Sequence, residues 1–402
     1  MTHEPATSEG SGQIAWLYAA FFVSHGVAVP YMPVAMKRIG MDGDAIGLAM
    51  AASLAIQFAA PPAWGYLADR WGRRGRLLAV ASLGAILGMA CATLLPGVPG
   101  FLLGFLLYTL ARTPVSPLLD AIALSHPGIG TARYGRVRRW GSLGFVVAAA
   151  SVGLVLERLP ARGIPALVLL PWLLVLAFCT LGRLPALSEP ARPAVLPLRR
   201  LYGERSVWAF LAIAAVHAGC GVPFETYFAN HAQDIGLSGA WIGYSWAGGV
   251  GLEVLVLSYL GPLVAALGPR KLLLIAYSAA VLRWGLTALL PGGAALAFVQ
   301  VLHGLTFGAA FGASVVWMSR AVPPELSNSS QSVFAAVAWG LGGIVAQLVC
   351  GPVYQRLGGH ALFALAACVE LVALAGIWMM KEPLESRESR PRVESRESRV
   401  ES

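Results

Sequence analysis

Runs of about 20 apolar residues recur along the whole chain, and they constrain the fold more than any other feature. Hydrophobic residues make up 57% of the 402 residues and charged residues only 12%, whereas an ordinary soluble domain has about 25% charged residues. A helix of about 20 residues crosses the ~30 Å hydrocarbon core of a bilayer, since each residue rises 1.5 Å. The sequence therefore predicts an all-α integral membrane protein with twelve transmembrane helices.

The twelve runs form two groups of six, separated by a segment rich in Pro and Arg. We expect a cytosolic N-terminal segment at 1–12, six-helix bundles at 13–183 and 205–380, a cytosolic linker at 184–204 and a disordered cytosolic tail at 381–402. The tail repeats Ser, Glu and Arg with almost no apolar residue, which is typical of disorder. The first segment lacks the basic start and short apolar core of a signal peptide, so we expect no cleavage there.

The distribution of basic residues predicts the orientation. Most Arg and Lys residues outside the predicted spans fall in alternate loops, on the side that holds the N-terminus, the linker and the tail. Cytosolic loops carry such an excess, so we expect a multi-pass protein of the cell inner membrane with both termini in the cytosol. The net charge of +9 then reflects topology. It predicts no nucleic-acid partner, because no soluble basic surface with interleaved aromatic residues is present.

The densest charge occurs in GYLADRWGRRGRLL, residues 65–78, between two apolar runs. Glycines permit a tight turn and close helix approach, and the single acid can pair with a neighbouring arginine or helix end. One interpretation is a conformational latch for alternating access; the other is that the arginines only set topology. The residues of the candidate latch are Gly65, Asp69, Arg70, Gly72, Arg73 and Arg74.

An internal repeat relates the two halves of the chain. A shift of 196 residues places GYLADRWGRRGRLL on GPLVAALGPRKLLL at 261–274, and it also matches Tyr31 to Tyr227 and Gly47 to Gly243. Six-helix halves related by an axis along the membrane normal produce such a repeat. The second copy has Ala265 in place of Asp69, so only the first copy of the loop carries the acid.

The loop Gly65–Arg74 resembles the major facilitator superfamily signature G-x-L-A-D-R-x-G-R-R between the second and third helices. With the twelve spans and the repeat, the resemblance covers roughly residues 13 to 380. It implies the major facilitator fold, with two pseudo-symmetric six-helix bundles. The segments at 136–145, 281–291 and 302–311 resemble the proton-symporter branch that includes the phenylpropionate permease. That resemblance implies a proton-coupled secondary transporter.

Ionisable residues inside predicted membrane spans are costly and are therefore functional candidates. Glu253, Arg283 and His303 lie well inside spans eight, nine and ten, at depths that one network can bridge. A histidine titrates near physiological pH and a carboxylate beside it is tuned by its surroundings, so we expect these three residues to couple protons. The arrangement resembles lactose permease, but Thr306 stands where that protein has a second carboxylate. The alternatives are a structural ion pair and a histidine that satisfies a backbone group.

The expected substrate-binding residues are Arg112, Arg283, Gln57 and His25. Buried arginines suit bidentate binding of a carboxylate, so an aromatic or other organic monocarboxylate is the first candidate substrate, and its symport with protons is the expected function. A proton-coupled drug exporter and a sugar or nucleoside symporter are the alternatives. A sensor or scaffold built on the transporter fold is an alternative of a different class.

Other features of the sequence exclude further functions. No phosphate-binding loop, H-E-x-x-H motif or other catalytic spacing occurs, so we expect no enzyme, no cofactor and no metal site. The expected partners are a small-molecule substrate, protons and the lipid bilayer, and we expect a monomer. Asp120 lies near the cytosolic end of span four and is expected to pair with Arg136 or Arg139. We expect no transport role for Glu225 or Glu370.

Overall fold

The computed structural model of the chain describes residues 9–71, 74–126, 128–181, 205–322 and 326–381, which form helices with no strand among them. The predicted linker 184–204 lies outside the described residues, as do residues 1–8 and 382–402. The helices of the first half are α1 (Glu9–Arg38), α2 (Gly43–Ala59, continued as Pro61–Trp71), α3 (Arg74–Leu94), α4 (Gly97–Arg112, continued as Val115–Ser125), α5 (Gly130–Val155) and α6 (Gly163–Leu181).

The second half repeats this order with more irregular helices. Its first four helices are α7 (Arg205–Val222, π-helical Pro223–Tyr227, Phe228–Asp234), α8 (Gly239–Ser258, Leu260–Leu267), α9 (Pro269–Leu289) and α10 (Ala294–Val299, Gln300–Leu302, π-helical Gly304–Ala309, Ala310–Ala321). The last helical run consists of Ser327–Ala335, π-helical Ala336–Gly342 and Gly343–Met379. Gly358 interrupts this run with φ 78° and ψ 178°, so we number the part before it α11 and the part after it α12.

The described helices form twelve membrane spans. Ten helical runs are long and apolar enough to cross a bilayer, and α2, bent by 40° after Ala59, adds an eleventh. The last run of 51 residues would measure about 75 Å as one helix, far more than a bilayer requires, and the break at Gly358 divides it into two spans. The predicted number is thereby confirmed. Helix α1 starts at Glu9, before the predicted first span, because hydropathy marks the membrane edge and a helix can extend beyond it.

The two halves are packed in the same way. Helix α1 packs on α5 and α6, and α3 packs on α4 and α6; correspondingly, α7 packs on α11 and α12, and α9 packs on α10 and α12. The structure is therefore the expected pair of pseudo-symmetric six-helix bundles. Contact between the halves runs mainly along two helix pairs, α2 with α11 and α5 with α8.

Close backbone contacts between the halves occur at the end of the bundle where α1 ends and α2 begins, here named the closed end. A Cβ atom added to Gly243 would lie 2.7 Å from the Ala149 carbonyl oxygen, and one added to Gly47 would lie 2.7 Å from the Gln347 carbonyl oxygen. Only glycine permits backbones to approach so closely. Lys37 also forms an ion pair with Asp234 across this end.

The internal repeat has a structural counterpart at the closed end. The Tyr31 hydroxyl donates to the Ala149 carbonyl at 2.5 Å and lies beside Gly243. Its repeat partner Tyr227 donates to the Gly43 carbonyl at 3.2 Å and lies beside Gly47. Each tyrosine thus packs at one of the two interfaces between the halves. Tyr31 and Tyr227 therefore form equivalent contacts on opposite sides of the molecule.

The opposite end of the bundle, which holds Glu9 and the end of α12, is here named the open end. The helical segments Pro61–Trp71, Val115–Ser125, Leu260–Leu267 and Ala310–Ala321 pack mainly within their own halves. Tyr66 and Tyr259 are exposed there. Among the described residues, the halves therefore meet at the closed end and separate towards the open end.

Candidate functional site

The centre of the candidate site is Arg283 on α9, a residue that is only 1% exposed. Its Nε donates to Gln300 Oε1 at 3.0 Å, and its Nη1 donates to Thr306 Oγ1 at 2.8 Å. The guanidinium carbon lies 4.1 Å from the centre of the Phe224 ring and 4.4 Å from that of Trp284. Such cation–π contacts stabilise a desolvated cation. Nη2 has no hydrogen-bond partner among the described residues.

His303 joins Arg283 to Glu253, so the structure brings together the three residues expected to couple protons. Nη1 of Arg283 lies 3.2 Å from Nδ1 of His303, and Nε2 of His303 lies 3.5 Å from Glu253 Oε2. A guanidinium only donates, so Nδ1 must accept and His303 carries its proton on Nε2, facing the carboxylate. The connection between acid and arginine passes through a neutral histidine.

A second arginine–histidine pair lies in the first half, where the structure brings together Arg112 on α4 and His25 on α1. Nη1 of Arg112 lies 2.8 Å from Nε2 of His25, which must accept, so His25 is neutral as well. The Arg112 guanidinium carbon is 5.7 Å from the Tyr108 ring centre. The two halves thus each contain a buried or partly buried arginine bonded to a neutral histidine.

Gln57 lies close in depth to Arg112. Ser53 on α2 and Thr109 on α4 are joined by a hydrogen bond of 3.2 Å. Gln57 and Arg112 come about one helical turn after these residues, in the same direction. The Gln57 amide donates to the Ser53 hydroxyl and carbonyl at 3.3 Å, which leaves its side-chain oxygen free of a hydrogen bond from the described residues.

The structure adds Glu225, which had no expected role, to the surroundings of Arg283. It belongs to the π-helical segment of α7 and lines a small cavity with Arg283, His303 and Thr306. The space in this cavity is about 20 Å³, room for about one water molecule. In the described conformation the cavity therefore admits water or part of a ligand beside the guanidinium.

His217 and Glu370 form a second polar cluster that the sequence did not predict as a site. Nδ1 of His217 on α7 lies 2.6 Å from Oε1 of Glu370 on α12, and Nε2 lies 2.9 Å from the Thr306 carbonyl oxygen. Glu370 is fully buried. Thr306 therefore contacts this cluster through its carbonyl group and Arg283 through its hydroxyl group.

The predicted latch is only partly described. Gly72, Arg73 and the side chains of Asp69 and Arg74 lie outside the described residues. Arg70 is exposed and donates to the Tyr66 hydroxyl at 3.3 Å. A Cβ atom added to Gly65 would meet no atom of the described residues within 4 Å in this conformation. The separation of the halves at the open end accounts for this space.

The expected ion pair of Asp120 with Arg136 or Arg139 is wrong. Asp120 Oδ1 accepts hydrogen bonds from the hydroxyl groups of Tyr18 at 2.5 Å and Tyr134 at 3.0 Å. These bonds connect α1, α4 and α5 within the first half, which makes Asp120 a structural residue of that bundle.

A larger cavity, of about 660 Å³, lies between α7, α11 and α12. Its lining is almost wholly apolar, with residues such as Trp208, Val345 and Val369, and several of its side chains are exposed on the bundle surface. A surface of this composition suits lipid chains. Apart from Trp208, Cys220 and Cys350, the described residues that line the cavity have only apolar side chains or none.

Comparison with known proteins agrees with the fold. The chain is 29% identical over 378 residues to a protein of Escherichia coli (strain K12) named "Probable 3-phenylpropionic acid transporter", covering 89% of this chain and 96% of the relative. It is 27% identical over 351 residues to the maltose permease of Geobacillus stearothermophilus, covering 86% and 89% respectively. The crystal structure of the nucleoside transporter NupG matches with a TM-score of 0.82 at 18% identity, over 93% of this chain and all of that one.

Two pseudo-symmetric bundles around a polar centre define a secondary transporter, and these relatives are transporters. Residues 13–365 match the family model of the "MFS_1 like family", so the chain belongs to this family. It is thus a multi-pass membrane transporter of the major facilitator superfamily, as the loop Gly65–Arg74 predicts.

Proposed function

We propose that the chain is a proton-coupled symporter of a small organic anion, with an aromatic or other monocarboxylate as the substrate class. The observation that carries the proposal is the state of Arg112 and Arg283. Among the described residues neither has a carboxylate within ion-pair distance. Each instead donates to a neutral histidine.

A guanidinium without a contacting carboxylate is energetically expensive inside a membrane protein, because desolvation of its charge is offset at most in part, for Arg283 by the more distant Glu225 that lines the same cavity. A carboxylate that enters the site supplies the counter-ion and two acceptor oxygens. Nη2 of Arg283, which lacks a partner among the described residues, provides a donor for it. The arginines therefore favour an anion over a neutral sugar or nucleoside, and they oppose a cationic drug.

The aromatic part of the substrate is inferred from the neighbours of Arg283. Phe224 and Trp284 flank the guanidinium, and Phe307 stacks on His303 with ring centres 5.4 Å apart. Aromatic rings pack well against such surfaces. The relative is named for 3-phenylpropionic acid, which carries an aromatic ring and one carboxylate, so this compound is the first ligand to test.

Proton coupling is assigned to Glu253, His303 and Arg283. Glu253 is partly exposed, with 19% of its side chain accessible, and His303 presents its Nε2 proton towards it. When the carboxylate is protonated, this hydrogen bond weakens, and His303 is free to reorient relative to Arg283. The protonation state of Glu253 thereby changes the group that holds the substrate-binding arginine.

Transport proceeds by alternating access between two states of the bundles. With both termini in the cytosol of a cell whose inner membrane holds the protein, the described conformation is closed to the outside and open to the cytosol. The loop at Gly65–Arg74 acts as the latch that closes the cytosolic side in the other state. The linker 184–204 connects the bundles 13–183 and 205–380, and the monomer is the functional unit.

The proposal is tested by ligand binding to purified protein. We expect 3-phenylpropionate to stabilise the protein against thermal unfolding and its amide, 3-phenylpropanamide, to have little effect, since only the acid supplies the counter-ion. Arg283→Lys and Arg112→Lys keep the positive charge but lose the planar guanidinium group that can donate two parallel hydrogen bonds to a carboxylate. Loss of one charge-assisted hydrogen bond costs about 1.5–3 kcal/mol, so affinity should fall about tenfold or more.

The matched control is Arg320→Gln, which removes a partly exposed arginine near the open end of α10. It should bind the acid like the wild type. Equal stabilisation by the acid and the amide, or unchanged binding by both Lys variants, would show that the arginines are structural. Stabilisation by maltose instead would move the assignment to a sugar symporter.

A further inference from the structure

The pair His217–Glu370 differs from the two arginine–histidine contacts in one chemical respect. His25 and His303 each accept a hydrogen bond from an arginine, so each is neutral, and Nδ1 of His25 has no partner among the described residues. His217 has an acceptor at both ring nitrogens, the Thr306 carbonyl at Nε2 and the Glu370 carboxyl group at Nδ1. Two acceptors cannot be satisfied by a neutral ring and an ionised carboxylate.

The number of protons is fixed by these contacts. A carbonyl oxygen only accepts, so Nε2 of His217 carries a proton. The 2.6 Å contact between Nδ1 and Glu370 Oε1 then needs a second proton, either on the imidazole or on the carboxyl group. In both cases the pair has no net charge. Without that proton, two lone pairs would face each other in a buried site, beside an uncompensated negative charge.

We infer that His217 and Glu370 form a proton-binding site that holds one transferable proton, and that Thr306 links it to Arg283. Loss of the proton breaks the contact at Nδ1, so either the imidazole turns or the carboxylate withdraws. The inference deepens the proposed proton coupling and rests on it for the link to the substrate. The proton site itself requires no statement about the substrate.

The position of Thr306 explains the link. It lies in the π-helical segment Gly304–Ala309 of α10, and π-helical turns interrupt the regular backbone ladder and are frequent at functional sites. Its carbonyl accepts from His217, and its hydroxyl accepts from Arg283 at 2.8 Å. Movement of His217 therefore releases the residue that holds the arginine in place.

The surroundings of the pair contain few other titratable groups. Tyr277 on α9 stacks on the His217 ring with centres 4.0 Å apart, and Cys220 on α7 lies near Glu370. Across the small cavity that His217 lines are Glu225, Arg283 and His303. Among the described residues, His217 is the only base that forms an ion-pair contact with Glu370.

The test is infrared difference spectroscopy of purified protein in lipid nanodiscs between about pH 5 and about pH 8, without substrate. The method detects carboxylic acid and imidazolium groups separately. We expect a pH-dependent signal that is lost in both Glu370→Gln and His217→Asn, because the proton is shared. The amide of Glu370→Gln can still donate to Nδ1, so this variant should fold, which its thermal unfolding checks.

The matched control is Tyr277→Phe, which keeps the stacked ring but removes a neighbouring titratable group. It should retain the signal. A signal that survives in either Glu370→Gln or His217→Asn would overturn the shared-proton site. If adding 3-phenylpropionate leaves the wild-type signal unchanged although the ligand binds, the link through Thr306 is wrong. If the ligand does not bind at all, the proposed substrate fails while the proton site is judged from the pH dependence alone.

Discussion

Gly243→Ala should shift the protein away from the described conformation. The new Cβ atom would lie 2.7 Å from the Ala149 carbonyl oxygen, whereas ordinary contacts begin at 3.4 Å, so α5 and α8 must separate by about 0.7 Å. Overpacking of this kind costs about 1–3 kcal/mol. Because the two backbones touch only while the closed end is closed, the cost falls on one state. The equilibrium should move about 5- to 150-fold towards opening of that end.

The assay is the distance distribution between spin labels on cysteines introduced at Arg158 and Leu357, both exposed at the closed end, in a background without the native cysteines. Gly251→Ala is the control on the same helix, because its new Cβ would meet no atom within 4 Å. Both variants gain the same helix propensity. A longer distance in Gly243→Ala alone supports the account. Identical distributions in the two variants would refute the gating role of this contact.

Two further predictions concern the expected charge network. Asp69→Asn should preserve expression but change the balance of open states and slow transport, as measured by cysteine accessibility on the two faces; unchanged labelling with full transport would reject the latch. Glu253→Gln mimics a permanently protonated carboxyl group, so accumulation driven by a pH gradient should fall to about the passive level while counterflow exchange continues. Uphill accumulation by this variant would contradict the assignment of Glu253.

The sequence alone predicts the parts of the structure that depend on composition and depth. Membrane spans are predicted by apolar runs, and the meeting of Glu253, His303 and Arg283 is predicted by similar depths on neighbouring helices. His25 and Arg112 were both predicted to bind substrate, but the contact between them was not predicted. The depth of a residue in the membrane depends on its position along the helix, so it follows from counting residues from the end of the span.

The direction in which a side chain points from its helix is harder to predict from sequence. The π-helical segments Pro223–Tyr227 and Gly304–Ala309 each add a residue to a turn and rotate the rest of the helix by about 100° relative to a regular helix. Glu225 lies within the first of these segments, so the geometry of a regular helix does not predict that it lies near Arg283. Glu370 was not expected to have a transport role, whereas its side chain points inward to His217, a direction that its position in the last span does not predict. The glycine contacts of the closed end depend on how the two halves meet, which neither half encodes alone.

The most direct test of the account is uptake of 3-phenylpropionate into proteoliposomes that contain only this protein. With an inward proton gradient, protein-free liposomes also accumulate a permeant weak acid passively, so we expect accumulation of the acid above the level reached in such liposomes, collapse of this excess when a protonophore is added, and no such excess for 3-phenylpropanamide. Accumulation that does not depend on the proton gradient, or equal handling of the acid and the amide, would contradict proton-coupled transport of an organic anion.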